Sequence, residues 1–151
     1  MNMSIQSLHL TVATICEQNG RFLMVEEQAS NRDGTVINQP AGHIEPGESI
    51  IEAVIRETLE ETAYDFTPTA IVGIYQLSTD SGKTYFRVCF CGEVTKHPKA
   101  YQIDNDILAV HWLDASAIKT HPSPRSALVM QCLDDYLSGQ RYSLDILNTL
   151  N

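Results

Sequence analysis

The chain has 151 residues, a length typical of one domain, so we expect a single domain over residues 1–151. Hydrophobic residues make up 43% of the chain and charged residues 19%, which excludes an intrinsically disordered or collagen-like protein. Ten Lys and Arg residues against nineteen Asp and Glu give a net charge of −9. This charge disfavours nucleic acid or an anionic membrane as a partner, and an anionic substrate would require a bound cation.

The four cysteines indicate a reduced core rather than a disulfide framework or a structural zinc site. None of them forms a C-x-x-C pair, and all lie in apolar stretches: Cys16, Cys89, Cys91 and Cys132. Residues 1–16 have no basic start, and polar residues interrupt their apolar run, so we predict no signal peptide. No apolar stretch approaches the ~18 residues of a membrane span, and we expect a soluble, cytoplasmic protein.

The first third of the chain predicts strands and turns. β-rich runs at 8–16 and 21–27 flank the tight-turn pair Asn19-Gly20, so we expect these two runs to pair as a hairpin. Residues 40–48 contain two prolines and two glycines and are predicted to form a shaped loop.

Residues 49–62 predict a helix because the period of their apolar residues changes to 3.6. The apolar stripe consists of Ile51, Val54, Ile55, Thr58, Leu59 and Thr62. Ser49 and Glu52 form a capping box, which places the start of the helix near residue 49.

The remaining segments complete an α+β sandwich, with one helix among mostly antiparallel strands and further helices near the end of the chain. The other predicted strands are 35–39, 70–78, 84–94 and 107–113. A short helix over 115–119 is capped by Asp114, and a last helix over 125–138 ends at Gly139.

Three glutamates on the predicted 49–62 helix point to a divalent cation. Glu57, Glu60 and Glu61 fall within an arc of about 100°, opposite the apolar stripe. Like charges at these spacings repel, and the helix dipole disfavours negative charge in the last turns. Hard oxygen ligands on one face suit Mg²⁺ or Mn²⁺, which would turn the repulsion into attraction. Taken alone, this string also fits a solvated acidic face.

The segment from 42 to 64 favours the cation. It resembles the Nudix box, G-x5-E-x7-R-E-U-x-E-E-x-G-U, in which U is aliphatic. Six fixed positions of that pattern occur at the required spacings: Gly42, Glu48, Arg56, Glu57, Glu60 and Glu61. Thr58 replaces an aliphatic residue. Ala63 replaces the second glycine, so the helix either ends in a strained left-handed turn or ends differently.

The resemblance implies a Nudix α/β/α sandwich with a mixed, mostly antiparallel sheet and a loop–helix–loop box. The implied ligands of Mg²⁺, or of Mn²⁺ as an alternative, are the Gly42 carbonyl, Glu57, Glu60 and Glu61. Catalytic roles fall to Arg56, Glu57 and Glu60, with Glu48 as the ion-pair support of Arg56. The string D-N-D-I-L-A-V-H-W nominates Asp106, beside Asp104, as a further base. An acidic turn before a strand explains that string equally well, so the identity of the base stays open.

The implied reaction is hydrolysis of a phosphoanhydride bond, in which the cation activates water and a carboxylate accepts its proton. The string NQPAGH (38–43) and S-G-Q-R-Y near the C-terminus resemble the NudJ phosphatase branch of the family. That branch implies release of phosphate from nucleoside di- and triphosphates and from hydroxymethylpyrimidine diphosphate. The alternatives are a pyrophosphohydrolase acting on nucleotide sugars or dinucleotides, and a catalytically silent nucleotide sensor. Either a monomer or a homodimer is expected.

Two arginines are candidates for contacts with substrate phosphates: Arg87 on a strand and Arg125 at the start of the last helix. A surface role or a helix-start role is the alternative for each. Tyr75, Tyr85 and Phe86 are candidates for stacking on a base, although aromatic residues on strands mostly pack in the core. Trp112 is predicted to be a core residue.

Overall fold

A computed structural model describes residues 7–150 of the chain. The strands in this range are β1 (Ser7–Ile15), β2 (Glu17–Gln18), β3 (Arg21–Gln28), β4 (Thr35–Asn38), β5 (Ala41–His43), β6 (Tyr64–Ser78), β7 (Lys83–Lys96) and β8 (Ile107–Asp114). The helices are α1 (Ile50–Thr62), α2 (Ala115–Lys119), α3 (Ala127–Leu137) and a short 3-10 helix (Leu144–Ile146). None of the helices in the described range is long and apolar enough to cross a bilayer. The signal-peptide prediction concerns residues 1–16, of which 1–6 lie outside this range.

The strands form two sheets rather than one. The first sheet has the order β5-β1-β7-β6, in which β1 and β7 run parallel and the other neighbours run antiparallel. In the second sheet β3 pairs with β8 along one edge and with β2 and β4 along the other, always antiparallel. The expected mixture of mostly antiparallel pairs is therefore confirmed, although it is divided between two sheets.

Helices cover both faces of these sheets, which confirms the α+β class and the α/β/α sandwich. Successive side chains of a strand point to opposite faces, so Val12 packs in a core with α1, whereas Ala13 packs in a core with α2 and α3. The second sheet divides in the same way, with Leu23 in the α1 core and Met24 in the other. The four cysteines are free and buried in these cores, as predicted.

The predicted hairpin between 8–16 and 21–27 is wrong, although its turn is present. Asn19 and Gly20 both have positive φ angles, 52° and 75°, and they connect only the two residues of β2 to the start of β3. The longer run, β1, instead pairs with β5 and β7 in the other sheet. Its residues from Thr11 to Ile15 are buried on both faces, a burial pattern typical of an inner strand with a parallel neighbour.

Other boundaries also differ from the predictions. Three residues of the predicted loop 40–48 form the edge strand β5, which pairs antiparallel with β1. The two long strands β6 and β7 extend beyond 70–78 and 84–94, because β6 continues directly from α1 and passes its Pro68 at a register shift. The last helix starts at Ala127, two residues later than predicted, because Ser126 is its N-cap. Strands β4 and β8 and helix α2 with its Asp114 cap are confirmed.

Helix α1 begins as predicted, because the Ser49 hydroxyl accepts a hydrogen bond from the Glu52 backbone N–H at 3.0 Å. Its buried face is rotated from the predicted stripe. Ile55 is 37% exposed, whereas the buried positions are Ala53, Val54, Thr58, Glu61 and Thr62. The stripe is displaced because β5 packs against the side of the helix that carries Glu57 and Glu61.

Thr58, the polar departure from the box, is accommodated in the core by hydrogen bonds. Its hydroxyl lies 2.8 Å from the Val54 carbonyl oxygen and 2.6 Å from the Thr14 hydroxyl. Both threonines are completely buried, so these bonds remove the cost of an unpaired hydroxyl. The substitution is therefore matched by a polar partner on β1.

Ala63 ends α1 in the left-handed conformation with φ 62°, and its N–H bonds to the Leu59 carbonyl oxygen. Because alanine is strained there, Ala63→Gly should stabilise the protein by about 1 kcal/mol. Urea denaturation of the two proteins would measure the difference. Ala53→Gly, which places glycine inside the same helix, should destabilise it. A loss of stability in Ala63→Gly would contradict the strain argument.

Candidate active site

Strand β5 runs so close to α1 that a larger residue at position 42 would displace the Glu57 carboxylate. A Cβ atom placed on Gly42 would overlap the carboxyl group of Glu57. The backbone at Gly42 therefore lies directly beside the Glu57 side chain. This close approach explains the glycine at the start of the box and brings a main-chain segment next to an acidic group.

Arg56 gathers the polar groups of the box around one guanidinium. Its Nε and Nη2 donate to the two carboxylate oxygens of Glu48 at 2.9 and 2.7 Å, and Nη2 also donates to the His43 carbonyl at 3.0 Å. This pairing lowers the pKa of Glu48 and raises the pKa of Arg56. The loop before α1 is thereby tied to the helix.

Two glutamates of α1 converge on a single nitrogen of the same guanidinium. Arg56 Nη1 donates to Glu57 Oε1 at 2.9 Å and to Glu60 Oε2 at 3.1 Å. Both carboxylates are partly shielded, with 14% and 29% of their side chains exposed. The Arg56 charge therefore lies between two carboxylate oxygens. Two such oxygens close together are also the kind of ligand that a divalent metal ion takes.

Glu61 lies in the buried interface between α1 and β5, not on the outer acidic arc that the wheel predicted. It is 7% exposed, and its carboxylate accepts a hydrogen bond from the Ala41 N–H at 2.7 Å. Burial raises the pKa of Glu61 to about 9, with contributions from the nearby negative charges of Glu27 and Glu57. A carboxylate in this position is stable only with a proton or with a cation nearby.

The two aspartates before β8 occupy different surroundings. Asp104 docks on the end of α1, where its N–H bonds to the Glu60 carbonyl oxygen at 2.9 Å, and its charge helps to raise the pKa of Glu57 and of Glu61. The charge of Asp106 contributes instead to the raised pKa of Glu27, which burial mainly causes. Asp104 is thus the closer of the two to the box.

These residues fit a divalent cation such as Mg²⁺. Within residues 7–150 no three acidic, histidine or cysteine side chains are arranged as a complete metal shell. The donors are nevertheless hard oxygens, Glu57 and Glu60 converge, and the buried Glu61 carboxylate has no positive partner within hydrogen-bond distance in that range. Gly42 would supply a main-chain carbonyl beside them.

The two candidate phosphate-binding arginines lie outside the box. Arg87 is only 5% exposed; its Nη1 and Nη2 donate to Gln39 Oε1 at 3.1 Å and Asn38 Oδ1 at 3.2 Å, and its Nε has no partner in the described chain. Arg125 precedes α3 rather than opening it, and its Nη1 donates to Glu27 Oε2 at 2.6 Å. Neither arginine directly contacts a box carboxylate through a hydrogen bond among residues 7–150.

Three residues that bind these two arginines were not predicted from the sequence: Glu27, Asn38 and Gln39. The only sequence signal for the two amides is their place in the string NQPAGH, and periodicity gives none. Glu27 lies beside a register shift in β3, which no local pattern predicts.

The candidate stacking residues divide into core and surface positions. Tyr75 packs against the α3 core and donates its hydroxyl to Asp135 Oδ2 at 2.7 Å. Trp112 packs against the α1 core, as predicted, and its indole N–H points to the Tyr64 hydroxyl at 3.4 Å. Tyr85 stacks on His9 with ring centres 4.6 Å apart. Phe86 is partly exposed on β7.

Comparison with known proteins agrees with this geometry. Residues 8–131 match the model of the NUDIX domain. The chain belongs to the Nudix family. It is therefore a hydrolase that acts on phosphoanhydride bonds.

This Nudix chain is similar to named relatives and to solved structures. It is 34% identical over 143 residues to Phosphatase NudJ of Escherichia coli K12 and of Shigella flexneri, covering 95% of this chain and 92% of theirs. A NUDIX hydrolase from Nitrosomonas europaea is 42% identical, with a TM-score of 0.89 and coverage of 95% and 98%. A MutT NUDIX hydrolase from Burkholderia pseudomallei, 17% identical with a TM-score of 0.70 over 85% of this chain and 98% of its own, shares the fold.

The buried glutamate of this Nudix site gives a test of cation binding. Glu61→Gln should keep or raise the melting temperature of the metal-free protein, because the amide oxygen still accepts from Ala41 and no charge is buried. It should also lose most of the rise in melting temperature that we expect Mg²⁺ to give the unaltered protein.

Differential scanning fluorimetry across a Mg²⁺ titration would measure both effects. Glu52→Gln is the matched control, since it removes the same charge from an exposed position of the same helix. If Mg²⁺ raises the melting temperature of Glu61→Gln as much as that of the unaltered protein, Glu61 is not a cation ligand.

Proposed function

We propose that this Nudix hydrolase is a Mg²⁺-dependent phosphatase. It cleaves the phosphoanhydride bond of small nucleoside or pyrimidine di- and triphosphates and releases phosphate. The observation that carries the proposal is the buried Glu61 carboxylate beside the convergent pair Glu57 and Glu60. The similarity to Phosphatase NudJ along 95% of the chain supports release of phosphate.

The cation ligands in this proposal are the Gly42 carbonyl, Glu57, Glu60 and Glu61, and Mn²⁺ is expected to substitute for Mg²⁺. When bound, the cation supplies the charge that offsets the phosphate oxygens and makes an attacking water more acidic. This charge is needed because a chain of −9 repels a polyphosphate.

The protein's own side chains orient the site and move the proton. Arg56 fixes the carboxylates of Glu57 and Glu60 through Nη1, and Glu48 fixes Arg56 from the other side. The proton from water passes to a carboxylate, with Glu57, Glu60 and Asp106 as the candidates.

Two arginines hold the rest of the substrate in this proposal. Arg87 offers a buried positive charge bound only to amide oxygens, so its charge is not neutralised by a carboxylate within hydrogen-bond distance in the described chain. Arg125 offers the guanidinium N–H groups that do not bond to Glu27. The enzyme is expected to act in the cytoplasm as a monomer or a homodimer.

A substrate panel tests the reaction. Purified protein with Mg²⁺ should release orthophosphate from nucleoside di- and triphosphates and from hydroxymethylpyrimidine diphosphate, and EDTA should abolish this release. Separate assays for orthophosphate and pyrophosphate would measure it. Nucleotide sugars and dinucleotides belong in the same panel. Cleavage confined to those compounds would favour a pyrophosphohydrolase, and binding without any turnover would favour a nucleotide sensor.

A glutamate substitution tests the site. Glu60→Gln should lower kcat by about 100-fold or more, because it removes both an oxygen ligand and a candidate base. Steady-state kinetics on the best substrate of the panel would measure the loss, with circular dichroism to confirm folding. Glu52→Gln should retain the activity of the unaltered enzyme. Full turnover by Glu60→Gln would contradict the assignment.

A further inference from the structure

Strand β6 forms an open edge of the first sheet. It is the last strand in the order β5-β1-β7-β6, so a neighbouring strand pairs with only one of its sides. The outer side is bonded at Ile71, which exchanges main-chain hydrogen bonds with Tyr142, and at the Val72 carbonyl oxygen, which accepts from the Gln140 side chain. Beyond Val72, no other part of residues 7–150 bonds to this outer side. The segment 73–78 therefore presents unpaired main-chain N–H and C=O groups.

The residues of this segment do not protect the edge. Sheets in native proteins protect an open edge with charged side chains, with proline or with a bulge. Residues 73–78 have the sequence G-I-Y-Q-L-S, which contains neither a charge nor a proline, and the register shifts of β6 lie before Ile74. Ile74 is 62% exposed, so an apolar side chain faces solvent there. An apolar, uncharged edge of this kind favours the addition of another strand.

The other edges of the two sheets are short, covered or acidic. Strand β5 has three residues and β2 has two. Strand β4 is covered at Ile37, whose main chain bonds to Ser123 and Arg125. Strand β8 follows Asp106 directly and ends at Asp114, so antiparallel pairing with its own copy would bring like charges together. Strand β6 is thus the edge at which pairing with a further strand is least opposed.

The occupant that fits this edge is a second copy of the chain. Antiparallel pairing of a strand with its own copy is two-fold symmetric, so the unpaired groups of one edge meet the same groups on the other. Centring the pair on Gln76 uses the whole open segment. It places Ile74 opposite Ser78 of the second copy, and Tyr75 opposite Leu77. Cross-strand pairs that include an aromatic ring contribute to such pairing, and no charge is brought into the contact.

Opposite charges lie at the two ends of the open segment. Asp80 lies in the turn after Ser78, and Arg141 follows Gln140 at the other end. Neither residue forms an ion pair within residues 7–150, and the Arg141 guanidinium donates only to the main-chain oxygens of Tyr136 and Gln140. Antiparallel pairing brings Asp80 of each copy towards Arg141 of the other. Since two chains of net charge −9 repel each other, this complementarity favours contact at the β6 edge.

We infer that the chain forms a two-fold symmetric homodimer in which the segment 73–78 of β6 pairs antiparallel with the same segment of a second copy. The two four-stranded sheets then join into one continuous sheet. Strand β5, which carries Gly42, lies at the opposite edge of each sheet. The dimer contact therefore does not involve the Nudix box, and the inference does not depend on the proposed function.

Sedimentation velocity over a series of concentrations of the full chain tests this inference. The unaltered protein should convert from monomer to dimer as its concentration rises. Ile74→Lys should weaken dimerisation by about 100-fold or more, because each copy then brings a charge into an uncharged contact. Ile74→Val, which keeps an apolar side chain, should dimerise as the unaltered protein does. Circular dichroism would confirm that each variant is folded.

Leu10→Lys is the matched control. Leu10 is 56% exposed on the same face of the same sheet as Ile74, but it lies on the inner strand β1. Leu10→Lys should therefore leave dimerisation unchanged. Equal losses in Ile74→Lys and Leu10→Lys would indicate contact between sheet faces and would overturn the inference.

Hydrogen exchange and a charge reversal provide two further readouts. The main-chain amides of residues 75–78 should exchange more slowly in the dimer than in monomeric Ile74→Lys, because strand pairing bonds part of them. Asp80→Arg should weaken dimerisation by about fivefold, and adding Arg141→Asp should restore it. A chain that stays monomeric at every concentration would overturn the inference. A dimer that Leu108→Lys dissociates and Ile74→Lys does not would also overturn it, since Leu108 lies on β8.

Discussion

The arrangement of the site depends on one guanidinium. Arg56 is charged at every physiological pH, and its planar fork holds Glu48 with two hydrogen bonds while a third nitrogen reaches Glu57 and Glu60. Its bond to the His43 carbonyl extends the same network to the end of β5. One residue thus fixes the loop before α1, the helix and the edge strand relative to each other. Lysine could not replace it, because a single ammonium cannot present this fork.

The second requirement is the close contact between β5 and α1. Glycine at position 42 lets the backbone approach Glu57, and Glu61 closes the contact by accepting from Ala41. The result is a poorly hydrated Glu61 carboxylate close to the negative charge of Glu57. Folding without a cation therefore leaves unfavourable electrostatics at this contact, which the proposed divalent cation would relieve. In the proposed site, stability and cation binding would be linked through the same few side chains.

The sequence predicts this site better than it predicts the sheets around it. Gly42, Glu48 and Arg56 lie close together in the sequence, and the capped helix α1 fixes their relative positions. The box could therefore be predicted directly. The partners of β1 could not be predicted, because the Asn19-Gly20 turn fixes only the two residue pairs between β2 and β3. The burial of Glu61 depends on β5, a three-residue strand within a segment whose prolines and glycines resemble a loop. Helical periodicity describes one helix alone and cannot include a strand that later covers its side.

The parallel pairing of β1 with β7 also affects how the chain folds. Ser7 pairs with Lys83, and Ile15 with Cys91. The inner strand β1 therefore pairs with residues roughly 75 positions further along the chain. Closing such a distant contact costs entropy before any burial compensates it, and β1 is buried over its second half in the folded protein. During synthesis on the ribosome, this strand remains without its neighbour until more than half of the chain has emerged. A chaperone would therefore be most useful at this early stage of synthesis, when β1 has no β7 to pair with.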